Sequence, residues 1–374
     1  MKSGSIQLHR RQLLTGLAGW ACAPAWSGDS PAATLLAAWQ QGTEHRIGLL
    51  RAGGDRLALL SELRVPSRAH GLMAEGEDSV LVVARRPGDW LLRWHPRTGQ
   101  ADWRWVNDDR GLNGHAEVLP DSAMLLTTET DSGTGQGLLG VRDRATLEKL
   151  DEWPTHGSDP HQLLALPESV GPWPAGTVIV ANGGINTRPE TGRSKRLAEP
   201  MSASLVALDP KRGTLLGQWR LDDPCLSIRH LAWNPAARRL GIALQAEHLD
   251  LDKRKAAPVL AIWDGESLSP AQKQPPLEGY GGDIVAHPQG GFAVSCPRAN
   301  TLALFSADGE FLRAIDQPLS YALAEHGGQW WNSGKSAVLV GQGPQTRRIG
   351  NPEPNGPTAD TAWQLDNHWK RYVG

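Results

Sequence analysis

Apolar residues come along this chain in short runs, each broken within a few residues by Gly, Pro, Asn or Asp. No stretch keeps the 3.6-residue spacing of a long amphipathic helix, so the pattern predicts strands and turns. One unit recurs: an apolar strand, a tight turn and a second apolar strand. It reads "HGLMAEGEDSVLVVARRP", "HAEVLPDSAMLLTTETD", "HLAWNPAARRLGIALQAE" and "DIVAHPQGGFAVSCPRAN". "HQLLALPESVGPWPAGTVIVANGG" is the same unit with an insertion in its turn. A third run follows ("WLLRWHPRTG", "SLVALDPKRG", "TLALFSADGE"), then a fourth ("TLLGQWRL", "EFLRAID"). Four strands repeated at roughly 40–50 residues are the mark of a β-propeller. Blades begin near His70, His115, His161, His230, Asp283 and Tyr321.

The ring has to close. The N-terminal runs "TLLAAWQQ", "HRIGLLR" and "RLALLSELRV" lack a first strand, and the C-terminal "TAWQLDNHWKRY" is a strand without a blade. Placing that strand innermost beside the other three leaves no open edge. The expected fold is therefore all-β, a seven-bladed propeller of WD40 or YVTN-like type. Six blades is the alternative, because residues 321–361 divide poorly into strands.

The first strand of each blade lines the central channel, so equal registers form a ring. His70, His115, His161 and His230 share a register, and His368 supplies a fifth imidazole. Asp283 holds the equivalent place in the fifth blade. Imidazoles with a carboxylate suit a first-row metal such as iron, copper or zinc. The second strand returns to the same face and ends there in Arg85, Glu129, Asp131, Asn182 and Gln245. Loops before the first strands add Asn113, His156, Asp159, Ser227 and Arg229, and Met201 closes a long insertion over that face. Glu129, Asp131, Asn182, Arg229, Gln245 and Asp283 are the expected outer partners of the imidazoles, with Met201 a soft ligand. Two other readings of the same ring stand beside this one: a structural histidine network and a water-filled polar channel. His45, His95, His248, His287 and His326 fall off the register.

Composition changes the picture little. The 374 residues are 40% hydrophobic and 21% charged, with 42 Gly and 27 Pro, as a turn-rich globular chain requires. A net charge of −2 gives no pull toward nucleic acid. The N-terminus matters more. Lys2, Arg10 and Arg11 precede a short apolar stretch and the small-residue site Ala23-Pro24-Ala25. The stretch is too short to span a bilayer, and Arg10-Arg11 resembles a twin-arginine export signal. Residues 1–25 are thus expected to be a cleaved signal and 26–374 one propeller domain in the periplasm, monomeric and without a membrane span. Cys225 and Cys296, alone in the mature chain, are expected to be free thiols.

"GHAEV" at His115, "TTETD" at Glu129, "DPHQLL" at His161, "VIVANGGINTRPETGR" from Val178, "LSIRHLAW" from Leu226 and "LDNHW" around His368 resemble the family called domain of unknown function 1513. The resemblance spans nearly the whole mature chain. It implies a periplasmic propeller associated with imelysin-like iron-uptake proteins, which favours iron or copper over zinc. It implies no activity.

Three functions follow as expectations. The leading one is transition-metal binding by the histidine ring at the channel mouth, in support of iron uptake or redox handling. The second is a non-catalytic interaction scaffold whose histidines are structural. The third is a lactonase-like hydrolase, with Glu129 or His161 as general base and Arg229 supporting the oxyanion.

Overall fold

The computed structural model describes residues 32–185, 201–343, 345–352 and 363–373. The expected signal, residues 1–25, lies outside them, as do Arg188, Arg193, Lys195 and Arg196 of the insertion. Among the described residues the chain is all-β and propeller-like. Five sheets each hold four antiparallel strands in simple chain order, and a sixth sheet holds eight.

In the eight-stranded sheet the C-terminal strand Trp363–Tyr372 pairs with Ala33–Gln41. Glu44–Gly53 and Arg56–Val65 follow outward, each antiparallel to the last. This array meets the four strands that run from Leu323 to Gly350 through a parallel pairing of Gly350 with Arg56. The first strands touch one another in cyclic order. They are Ala69–Glu75, Arg110–Val118, Pro160–Ala165, Leu226–Asn234, Asp283–His287, Leu323–His326 and Trp363–Tyr372, the last returning to the first.

The apolar second strands explain why the sheets stack. Ser79–Ala84, Val178–Asn182 and Gly291–Cys296 are buried along their whole length. Such a strand has a neighbour on both faces, so alternation of polar and apolar residues is lost. Ile179 and Leu205 of one sheet pack with Leu231 and Ile242 of the next. Leu36 and Ile47 meet Val82 and Leu92 in the same way. Each such aliphatic side chain contributes about 1.5–3 kcal/mol by leaving water. Outer strands such as Phe311–Asp316 keep mostly solvated side chains.

One short helix, Leu251–Ala256, occupies the polar "LDKRKA", capped by Asp250 accepting from the amides of Asp252 and Lys253. No helix among the described residues is long and apolar enough to cross a membrane. Cys225 and Cys296 are unpaired; Cys296 is buried and Cys225 half-buried.

Candidate metal centre

Five imidazoles meet on the axis: His70, His115, His161, His230 and His368, each from a different first strand. In nine of their ten pairings the ring centroids lie 4.5–5.9 Å apart, mostly edge to face. His161 is half-buried and the other four are buried.

A backbone device aims them. Each of these five strands loses register with its neighbour at its histidine. The breaks fall between Ala69 and Leu72, Leu112 and Ala116, Pro160 and Leu163, and Ile228 and His230. On the last strand the break lies opposite Ala37 and Trp39, between Leu365 and Trp369. Asp283–His287 and Leu323–His326, which bring no histidine to the ring, pair without a break. Extra residues in one strand turn a side chain out of the pleat, a known use of β-bulges beside functional sites. Two glycines let the bulged strands close up. A Cβ on Gly71 would lie 2.2 Å from the Gly114 carbonyl oxygen, and one on Gly114 would lie 2.5 Å from His70 Cδ2. Gly114 also has φ +104°. Gly114→Ala is expected to cost about 1–3 kcal/mol and to push His70 off the axis. Thermal unfolding and metal retention measured together check this; no change in either would mean the ring has slack.

The nitrogens are poorly partnered. His161 Nε2 and His230 Nε2 are 3.2 Å apart, and Arg229 Nη1 stands 3.5 Å from His161 Nδ1. His70 Nδ1 and Nε2, His115 Nε2, His230 Nδ1 and His368 Nε2 are buried without a hydrogen-bond partner among the described residues. His368 is oriented from behind: Asp283 Oδ1 lies 3.1 Å from its Nδ1, which leaves Nε2 facing the ring. Asp283 is itself fixed by the amides of Ile284 and Leu323. Burial, then charges on neighbouring groups, hold His70, His115, His161 and His230 well below the usual imidazole range. They are neutral near pH 7 and keep a lone pair to donate.

Two trios of donor atoms lie within 4.8 Å of one another: His70 with His115 and His161, and His70 with His230 and His368. Metal–imidazole bonds of about 2.0–2.1 Å would set opposed donors ~4 Å apart. Three donors on one ion lie roughly 3.0–3.5 Å apart, so either trio would have to close by up to about 1.5 Å to share a metal.

The ring stands inside the channel, between two cavities, rather than at its mouth. His70, His161 and His230 line one cavity of about 250 Å³, with Arg85, Arg86, Arg229 and Arg298 around it. His115 and His368 line the other, of about 370 Å³, beside Glu117 and Lys370. Burial raises the Glu117 carboxyl to about 7. On the arginine side Asp159 pairs with Arg86 and, at 2.9 Å, with Arg229. Asp366 pairs with Arg68 and stands 3.6 Å from Arg85.

The outer residues nominated from sequence divide. Asp283, Arg229 and Gln245 belong to the site, Gln245 in the cavity wall. Four others face elsewhere. The Glu129 carboxylate is fully buried between Arg142 (2.8 Å) and Lys149 (2.7 Å). It is held in an ion-pair cluster within its own sheet. Asp131 pairs with Arg110 and accepts from the Thr134 amide. Asn182 donates to Thr155 O and Ser204 Oγ. Met201 lines a separate small cavity with Arg220, Asp223 and Leu226. Strand ends alternate in direction, so sharing a channel face did not put these side chains on the axis. Glu129→Ala strands the buried Arg142 charge and is expected to cost about 3–5 kcal/mol while leaving metal content intact. Denaturant titration and elemental analysis of one sample check both halves.

Reading by register missed Arg86, Tyr280, Arg298 and Asn367, which line the arginine-side cavity. Arg86 follows Arg85 directly, the one local signal available. A smaller group away from the ring, Asp223, Cys225 and His248, also holds its donor atoms within 4.8 Å.

Residues 63–372 match the family described as "Protein of unknown function (DUF1513)". No curated protein matches. Among solved structures, virginiamycin B lyase from Staphylococcus aureus superposes with a TM-score of 0.55 at 10% identity, over 78% of this chain and 86% of that one. A streptogramin B lyase gives 0.56 at 12%, over 80% and 87%. A chain of a mitotic checkpoint complex gives 0.55 at 13%, over 98% and 100%. At such identities these likenesses speak for the fold alone.

Proposed function

The chain belongs to the DUF1513 family, and we propose that this member binds a transition-metal ion, iron or copper, in the ring of His70, His115, His161, His230 and His368. One observation carries the reading: five imidazoles are collected around one point, and five of their nitrogens are buried without a hydrogen-bond partner among the described residues. A buried polar atom left unsatisfied costs about 1–3 kcal/mol, so a purely structural network would be expected to pair its members. The Asp283–His368 pair has the carboxylate–histidine form that orients metal-ligating imidazoles. Five neutral nitrogen donors suit iron or copper.

The architecture that goes with this reading is a seven-bladed propeller, with Trp363–Tyr372 completing the blade of the N-terminal strands. The order of the eight-stranded sheet and the cyclic contacts of the first strands support it. The protein would be exported on residues 1–25 and would serve iron acquisition in the periplasm alongside imelysin-like proteins.

Elemental analysis of untagged protein recovered from the periplasm tests the binding. About one iron or copper ion per chain is expected in the parent, and less than about a tenth of that in a folded His161→Ala/His230→Ala variant. A parent without metal after reconstitution refutes the proposal.

A further inference from the structure

A metal in this ring would have no anion bound directly to it. The five donors are imidazoles, and Asp283 reaches the ring through His368. Directly above stands a cavity lined by Arg85, Arg86, Arg229 and Arg298 and by no carboxylate. Asp159, Asp366 and Glu247, the acidic groups near these arginines, are buried and lie outside the lining. Arg229 sits 3.5 Å from a ring nitrogen. Asp159 and Asp366 hold Arg86, Arg229 and Arg85 from behind, so these guanidiniums are fixed along one wall where an anion can dock.

We infer that the cavity is a binding site for a small multivalent oxyanion, a di- or tricarboxylate or a phosphate, seated on the guanidiniums against the imidazole ring. Guanidinium groups fork onto carboxylate and phosphate oxygens in bidentate fashion. Arg298 lies 4.2 Å over the Tyr280 ring, which steadies its guanidinium at the cavity edge. Asn113, Gln245 and Asn367 supply neutral donors around the wall. The volume, about 250 Å³, falls below the ~300–1,000 Å³ of drug-sized sites and suits a small ion. With a metal below, an oxygen of this anion would take the coordination position that faces the cavity and offset its charge. That second role rests on the metal reading; the anion site does not.

Calorimetric titration of citrate and of phosphate, separately, into chelator-treated exported protein tests the inference. Binding of one or both is expected, weakening with added salt. It should fall at least about tenfold in Arg85→Gln/Arg298→Gln and stay unchanged in Arg97→Gln, a surface pair elsewhere. Citrate alone would identify a carboxylate site, and phosphate alone a phosphate site. No binding of either at millimolar concentration overturns the inference, as does binding that the double variant retains while its thermal midpoint matches the parent. Anion binding by a protein that never takes up metal would retain this site and refute the metal centre. Metal uptake without anion binding would do the reverse.

Discussion

On the proposed metal site, replacing His70 by leucine is expected to abolish metal binding and to leave a metal-free protein at least as stable as the parent. His70 is the member common to both donor trios, so its loss breaks both. Loss of an outer partner of a metal ligand already costs 10–100-fold in affinity, and loss of the shared ligand is expected to cost more than about 100-fold. The stability half runs the other way. Both His70 nitrogens are buried and have no hydrogen-bond partner among the described residues, and burial disfavours its charged form. Removing such a group is worth about 1–3 kcal/mol to the metal-free fold if leucine fills the space. Metal titration and urea unfolding of metal-free samples check the two halves together. A leucine variant that keeps its metal, or one that unfolds far more easily, would turn the ring into a structural network.

Acid unfolding of the metal-free protein is expected to be steep and to begin near pH 6.5. His70, His115, His161 and His230 have folded-state values well below the ordinary 6.5, because burial penalises the imidazolium. Arg85, Arg229 and Lys370 push the same way. Asp283, through His368, is the opposing carboxylate at the ring. In the unfolded chain all four take up protons below about 6.5, while the folded chain does not. Their contribution is therefore complete above that pH and is lost as pH falls toward the folded values. Each group contributes up to about 1.4 kcal/mol per pH unit, so four give roughly 5 kcal/mol per unit at most. That is comparable with the ~5–15 kcal/mol of a whole domain. Bound metal holds the imidazoles deprotonated and is expected to move the transition to lower pH. Tryptophan fluorescence against pH, with and without metal, reads it directly. Stability that stays level from pH 7 to pH 5 contradicts the assignment of these four as neutral buried groups.

Much of the architecture was legible because a strand buried on both faces writes itself as a continuous apolar run. "VLVVA" and "VIVAN" are second strands for that reason. The C-terminal "DNHWKRY" could be assigned to the N-terminal strands because nothing else offered it an edge. The ring was legible because the repeat carries its histidine at one register. The bulges could not be read, since an extra residue in one strand leaves no compositional mark apart from glycines such as Gly114. Without them the ring was expected at the channel mouth, and it lies between two cavities. Glu129 was misassigned for a related reason. Its position at a strand end was visible, but the partners that turn it inward, Arg142 and Lys149, lie on the two following strands. The cationic cavity was only half visible: Arg85 and Arg229 fall on the expected face, while Arg298 comes from a loop of another sheet.

The most direct test of the central claim is anomalous X-ray scattering at the iron and copper edges from crystals of protein exported and purified without added chelator. One strong peak is expected among His70, His115, His161, His230 and His368, at about 2.0–2.2 Å from at least three imidazole nitrogens. A ring filled by water alone, or a peak found instead at Asp223, Cys225 and His248, would contradict the claim.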